Sequence, residues 1–144
     1  MFSKSCEYGL RAVIFIAQQS HLGHKASLTS ISQAVDSPPA FTAKILQQLV
    51  KNNLIDSSKG PKGGFFMAPE AMKNLTLEAV VSVLDGDSIY TNCGLGLKQC
   101  NDKKPCPLHF KFVAIKEELQ AMLQNTTLIM LVNEMNLDRF HLKR

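Results

Sequence analysis

No stretch of this 144-residue chain is apolar for more than six residues, the longest being Ala12–Ala17. A bilayer-spanning helix needs roughly 20, so no membrane partner is expected. Residues 1–9 contain Lys4 and Glu7 and offer neither an apolar signal core nor a small-residue cleavage site. A cytoplasmic location is the expectation that follows. Catalytic signatures are missing as well. There is no Cys-x-x-Cys pair, no carboxylate pair beside a histidine, and no glycine-rich phosphate loop after a strand, so an enzyme is not expected. Repeats and low-complexity tracts are also absent. What is present, 45% apolar and 19% charged residues, is the balance of a globular fold and excludes disorder.

The formal net charge is only +4, but it is unevenly placed. Between Pro38 and Gly64 stand Lys44, Lys51, Lys59 and Lys62 against one acid, Asp56. That local excess suits a polyanionic partner, although a solvated lysine face gives the same count. The apolar spacing of Leu10, Val13, Ile14 and Ala17 predicts a helix over 5–19. Ser27 can cap a second helix over 28–35, burying Leu28, Ile31 and Val35. Ser37 as N-cap with Pro38 at the first helical position would open a third. That helix should run to about Asn52 and bury Phe41, Ile45, Leu46 and Leu49.

Two short helices about a tight turn form a helix-turn-helix over 28–51, with Ala40, Ala43, Lys44, Gln47 and Lys51 on the open face of the second. Beta-type runs at Leu54–Ser57 and Phe65–Ala68 flank Ser58-Lys59-Gly60-Pro61-Lys62-Gly63-Gly64. Three glycines and a proline there build a hairpin tip carrying Lys59 and Lys62. A helix-turn-helix followed by a basic hairpin, the wing at 54–68, is a winged helix. The partner implied is double-stranded DNA, with lysines on phosphates and Ala40, Ala43 and Gln47 toward base edges.

Beyond the wing, Thr76 caps a helix that Asp85-Gly86 stops, closing a DNA-binding domain over 1–86. Residues 87–106 form a polar loop that holds Cys93, Cys100 and Cys106. Two helices over 107–135 and a tail over 136–144 complete the chain. Leu108, Phe112, Ile115, Leu119 and Met122 recur in steps of four and three. A core-facing stripe would show the same spacing. A homodimer seam is favoured because the winged module is complete without it. The fold class expected is mostly α with a small β-hairpin wing, extended by a long C-terminal dimerisation helix.

Clustered cysteines in a reducing compartment point to metal rather than disulfide chemistry. Structural zinc prefers cysteines two to four residues apart. Spacers of six and five residues instead suit a loop wrapped around a larger iron–sulfur cluster. Three thiolates leave a position open. His109, three residues after Cys106, can fill it, and Glu7 from a partner subunit is the rival. Cys6 is expected to be a buried apolar residue.

These segments resemble the Rrf-two (BadM-type) family of winged-helix transcriptional regulators, in particular iron–sulfur members such as IscR and NsrR. The resemblance runs along nearly the whole chain. Glu7-Tyr8-Gly9-Leu10-Arg11-Ala12 is similar to the opening helix of the family. Lys44-Ile45-Leu46-Gln47-Gln48-Leu49 is similar to its recognition-helix core. Ser58-Lys59-Gly60-Pro61-Lys62-Gly63-Gly64-Phe65 is similar to its wing, with Lys59 where an arginine is usual. Cluster-bearing members have cysteines where Cys93, Cys100 and Cys106 stand. The resemblance implies a homodimeric regulator on a palindromic operator, tuned by a cluster. The 2Fe–2S kind is favoured over 4Fe–4S, and zinc binding or thiol-redox sensing is the alternative use of the cysteines. His109 matches the histidine ligand of IscR-like members, and Glu7 the carboxylate that others bring from the opposite subunit.

Overall fold

The computed structural model describes residues 1–135 and 140–143. Helix α1 (Lys4–His21) starts where the Ser3 hydroxyl accepts the Cys6 N–H at 3.1 Å. Helix α2 (Leu28–Val35) starts where Ser27 does the same for Ser30, as its sequence predicts; such a cap stabilises a helix by about 1 kcal/mol. Helix α3 (Pro39–Lys51) begins one residue later than expected. Pro38, not Ser37, is its N-cap, and Pro39 takes the first helical position. A residue before proline is driven out of the α region, and Pro38 is accordingly extended at ψ 131°. The Ser37 hydroxyl turns inward instead and pairs with buried Thr42.

The wing is an antiparallel hairpin of β1 (Asp56–Ser58) and β2 (Gly64–Phe66), with Ser57 opposite Phe65. Its ladder is shorter than the apolar runs suggest. Ile55 and Met67, at the outer ends of those runs, are buried in the core. Ala26 adds a bridge to Phe65, exchanging hydrogen bonds of 2.8 and 2.9 Å. A Cβ on Gly63 would collide with the Ser58 carbonyl and stand 2.8 Å from the Lys59 carbonyl carbon, so the tip tolerates only glycine there.

After the wing come α4 (Pro69–Asn74), α5 (Leu77–Asp85) and α6 (Ser88–Thr91), then α7 (His109–Asn125) and α8 (Leu128–Met135). The expected cap at Thr76 is present, accepting the Ala79 N–H. Helices α4 and α6 are not anticipated by the sequence reading; α4 opens with a proline at its first position, as α3 does. The main core joins Val13, Ile16 and Ala17 of α1 to Ile31 of α2 and to Ile45, Leu46 and Leu49 of α3. Each such large side chain, fully buried, contributes about 1.5–3 kcal/mol of hydrophobic stabilisation. Helix α8 packs back into this core through Leu128 and Val132. Main-chain hydrogen bonds of 3.0 Å join the turn that precedes α8 to the turn that precedes α5, from Leu128 to Leu75 and from Leu77 to Thr126. Among the described residues no helix is long and apolar enough to cross a membrane. Of the expected tail, 136–139 and 144 lie outside the described residues; Leu142 accepts a hydrogen bond from Arg11 on α1 at 3.3 Å.

Candidate nucleic-acid interface and cysteine loop

Burying Ile45, Leu46 and Leu49 fixes which way α3 faces. Ala40, Lys44, Gln47 and Lys51 are consequently exposed, and Ala43 is half-exposed. Lys59 and Lys62 are exposed at the wing tip. The α3 face and the wing follow one another with only Asn52–Ile55 between helix and strand. Gln48, beside this face, donates to the Val83 carbonyl on α5 at 2.9 Å. Recognition by a basic helix and hairpin is the chemistry this surface offers: cations for phosphates, small and amide side chains for base edges.

The cysteine loop is anchored to α7. Gly94 lies against the Phe112 ring so closely that a Cβ would stand 2.6 Å from it. The Lys116 ammonium donates to the Asn92 carbonyl. One donor pair forms where the loop meets α7. Cys100 Sγ lies 3.4 Å from His109 Nδ1, and the opposite ring nitrogen, Nε2, lies 2.8 Å from Asp102 Oδ1. With Nε2–H donating to the carboxylate, Nδ1 keeps its lone pair on the Cys100 side. His109 is only 5% exposed, so this orientation is held by packing as well. The Leu95 and Leu97 N–H groups, then the Cys106 thiol and the Lys116 ammonium, hold the Cys93 thiol below its ordinary pKa.

Among the described residues no three of these groups converge as a metal-holding set. The donor chemistry nevertheless fits a thiolate-ligated group. Backbone N–H groups already favour the anionic form of Cys93, and a histidine lone pair is presented beside Cys100. Glu7 stands elsewhere in the chain, paired with Lys4 at 2.8 Å and lining a groove with Arg11 and His141. Cys6 is fully buried; burial first and then Asp85 push its thiol up to about 12, as befits an inert apolar residue. Asp102 escapes sequence reading because a polar loop has no periodicity to place it.

The expected seam on α7 divides. Leu119 packs on the cluster of Cys6, Val81 and Leu123, and Phe112 on Gly94, both within one chain. Leu108, Ile115 and Met122 are instead 37%, 60% and 51% exposed. Seven-residue steps keep these three on one stripe of the helix.

Comparison with known proteins gives a consistent picture. The profile of the Rrf2 family, iron-dependent transcriptional regulators, matches residues 2–134. The HTH-type transcriptional regulator IscR of Klebsiella pneumoniae (strain 342) is 31% identical over 127 residues, covering 88% of this chain and 76% of that protein. Among solved structures, T. potens IscR gives a TM-score of 0.74 at 19% identity, over 97% of this chain and 91% of that one. CymR (YrzC), the global cysteine regulator of B. subtilis, gives 0.73 at 24% identity, over 93% and 97%. These likenesses establish the mostly helical winged-helix fold with its two-stranded hairpin.

Proposed function

The chain belongs to the Rrf2 family of iron-dependent transcriptional regulators, and from that premise we propose a dimeric DNA-binding regulator whose operator affinity is set by an iron–sulfur cluster. Its family and relatives are regulators and not enzymes. In this reading residues 1–86 bind a palindromic operator. Ala40, Ala43 and Gln47 face base edges, and Lys44, Lys51, Lys59 and Lys62 contact phosphates. Cys93, Cys100, Cys106 and His109 hold the cluster, of the 2Fe–2S kind in preference to 4Fe–4S. Such a cluster, when bound, supplies an iron centre that oxidants, nitric oxide or iron shortage can alter.

The observation that carries this reading is the Cys100–His109 pair at the junction of α7 with a loop that also holds Cys93 and Cys106 and is fastened to α7 at Gly94 and Asn92. Drawing Cys93 and Cys106 onto the Cys100–His109 pair pulls on α7. Helix α7 packs through Leu119 and Leu123 on Val81 of α5, and α5 holds Gln48 of α3. A ligand shifts operator affinity only if it binds two such arrangements unequally. Anaerobic reconstitution followed by an absorption spectrum, iron and sulfide analysis and operator binding tests it. Full assembly in a triple Cys→Ser variant would overturn it.

A second reading uses the same cysteines for zinc or as a thiol switch, favoured by the Cys93 thiol being held below its ordinary pKa. Protein that takes up zinc but no iron and sulfide, or that loses two thiols to peroxide with a change in DNA affinity, would support it instead.

A further inference from the structure

Sequence order places Lys25 in the link between α1 and α2, away from the wing. The fold puts it on the wing. Ala26 pairs with Phe65, so antiparallel register sets Lys25 across from Phe66, on the face that also carries Ser58. This segment lies close because residue 64 is glycine: a Cβ there would stand 2.8 Å from the Ala26 carbonyl oxygen and 3.3 Å from Lys25 Cβ. The Lys25 ammonium sits 4.8 Å from the Phe66 ring centroid and donates to the Ser58 hydroxyl at 3.0 Å. Ser58 is the residue before Lys59, so the ammonium is drawn toward the hairpin tip.

An ammonium has three protons to donate, and Ser58 takes one. Lys25 is exposed, and among the described residues no carboxylate lies within ion-pair distance of it. A cation held over an aromatic ring and by a hydroxyl has surrendered much of its rotamer freedom before any ligand arrives. Meeting a phosphate therefore costs it less than it costs the free lysines of the tip.

We propose that Lys25 is a DNA-phosphate contact that extends the wing, set beside Lys59 and Lys62 by the Ala26–Phe65 bridge. This rests on the DNA-binding reading above. The probe is a mixed-sequence duplex of about 30 base pairs, with the association constant measured across a salt series. Lys25→Ala should flatten the log–log salt slope by about 1.8, two phosphate contacts per dimer at about 0.9 each, and Lys25→Arg should restore it. An unchanged slope in Lys25→Ala, with or without weaker binding, would overturn the contact and leave Lys25 a brace. Lys59→Ala, measured alongside, separates the two ideas: if it flattens the slope while Lys25→Ala does not, only the Lys25 inference fails. Absence of binding by the unsubstituted protein would remove the DNA-binding reading and this inference together.

Discussion

Gln48 on α3 donates its side-chain amide to the Val83 carbonyl of α5 across 2.9 Å, tying the helix offered to DNA to the helix that packs on α7. Ile45 and Leu46 of α3 share the apolar core with Val80 and Leu84 of α5, where packing has no preferred direction, whereas this bond is directional. Replacing Gln48 by Leu keeps volume and helix propensity but removes the donor. Operator affinity of the cluster-loaded and cluster-free protein should then converge. A typical coupling of 5–150-fold should shrink several-fold, with thermal stability changed by no more than about 1 kcal/mol. An undiminished ratio in Gln48→Leu would place the coupling elsewhere.

The fourth ligand can be decided by substitution. His109 is buried, with Nδ1 toward Cys100 and Nε2 on Asp102, whereas Glu7 is engaged by Lys4. After anaerobic reconstitution, His109→Ala should lose the cluster faster on dilution into chelator than the unsubstituted protein. Glu7→Ala should match the unsubstituted protein. Asp102→Ala, which frees the ring to rotate, should weaken iron retention by about 10–100-fold. Loss confined to the Glu7 variant would assign the ligand to the partner subunit.

How much of this could be read from sequence depends on how local each feature is. Ser27 and Thr76 cap their helices as read, because a cap is settled within three residues. The start of α3 lies one residue beyond the position the sequence suggests, because two adjacent prolines compete for the first helical position and the second takes it. The α7 stripe shows a different limit. Periodicity reports that Phe112 and Leu119 face something apolar, but not whether that surface belongs to the same chain. Lys25 and Asp102 were invisible for a third reason. One depends on the close approach of Ala26 to Phe65 and Gly64, the other on a loop folding back to His109, and neither leaves a pattern along the chain.

The division of the seam changes how dimerisation should be tested. Leu119 belongs to a cluster with Cys6, Val81 and Leu123, so placing a charge there would damage the monomer. Ile115 and Met122 are exposed and can be altered without opening a core. Ile115→Lys with Met122→Lys should convert a dimer to monomer in sedimentation while leaving helix content unchanged. Cooperative binding to two half-sites roughly 34 Å apart should be lost with it. A double variant that still sediments as a dimer would exclude this stripe as the interface.

Thiol reactivity should separate the cysteines by environment. A thiol whose pKa is lowered carries more thiolate at neutral pH, and the thiolate is the nucleophile. Cys93 is shifted that way by the Leu95 and Leu97 N–H groups, the Cys106 thiol and Lys116. Cys6 is shifted the other way, to about 12, and is fully buried. In cluster-free protein at pH 7, iodoacetamide should therefore modify Cys93 within the period in which Cys6 stays intact, as read from peptide masses. The Cys93 rate should rise with pH to a plateau reached below that of a free thiol. Lys116→Ala should move the plateau only slightly upward, because the backbone donors dominate. Cluster-loaded protein should protect Cys93, since a thiolate that shares its charge with iron is a much weaker nucleophile and is less accessible. Equal labelling of Cys6 and Cys93 in the native protein would contradict the burial of one and the stabilised thiolate of the other.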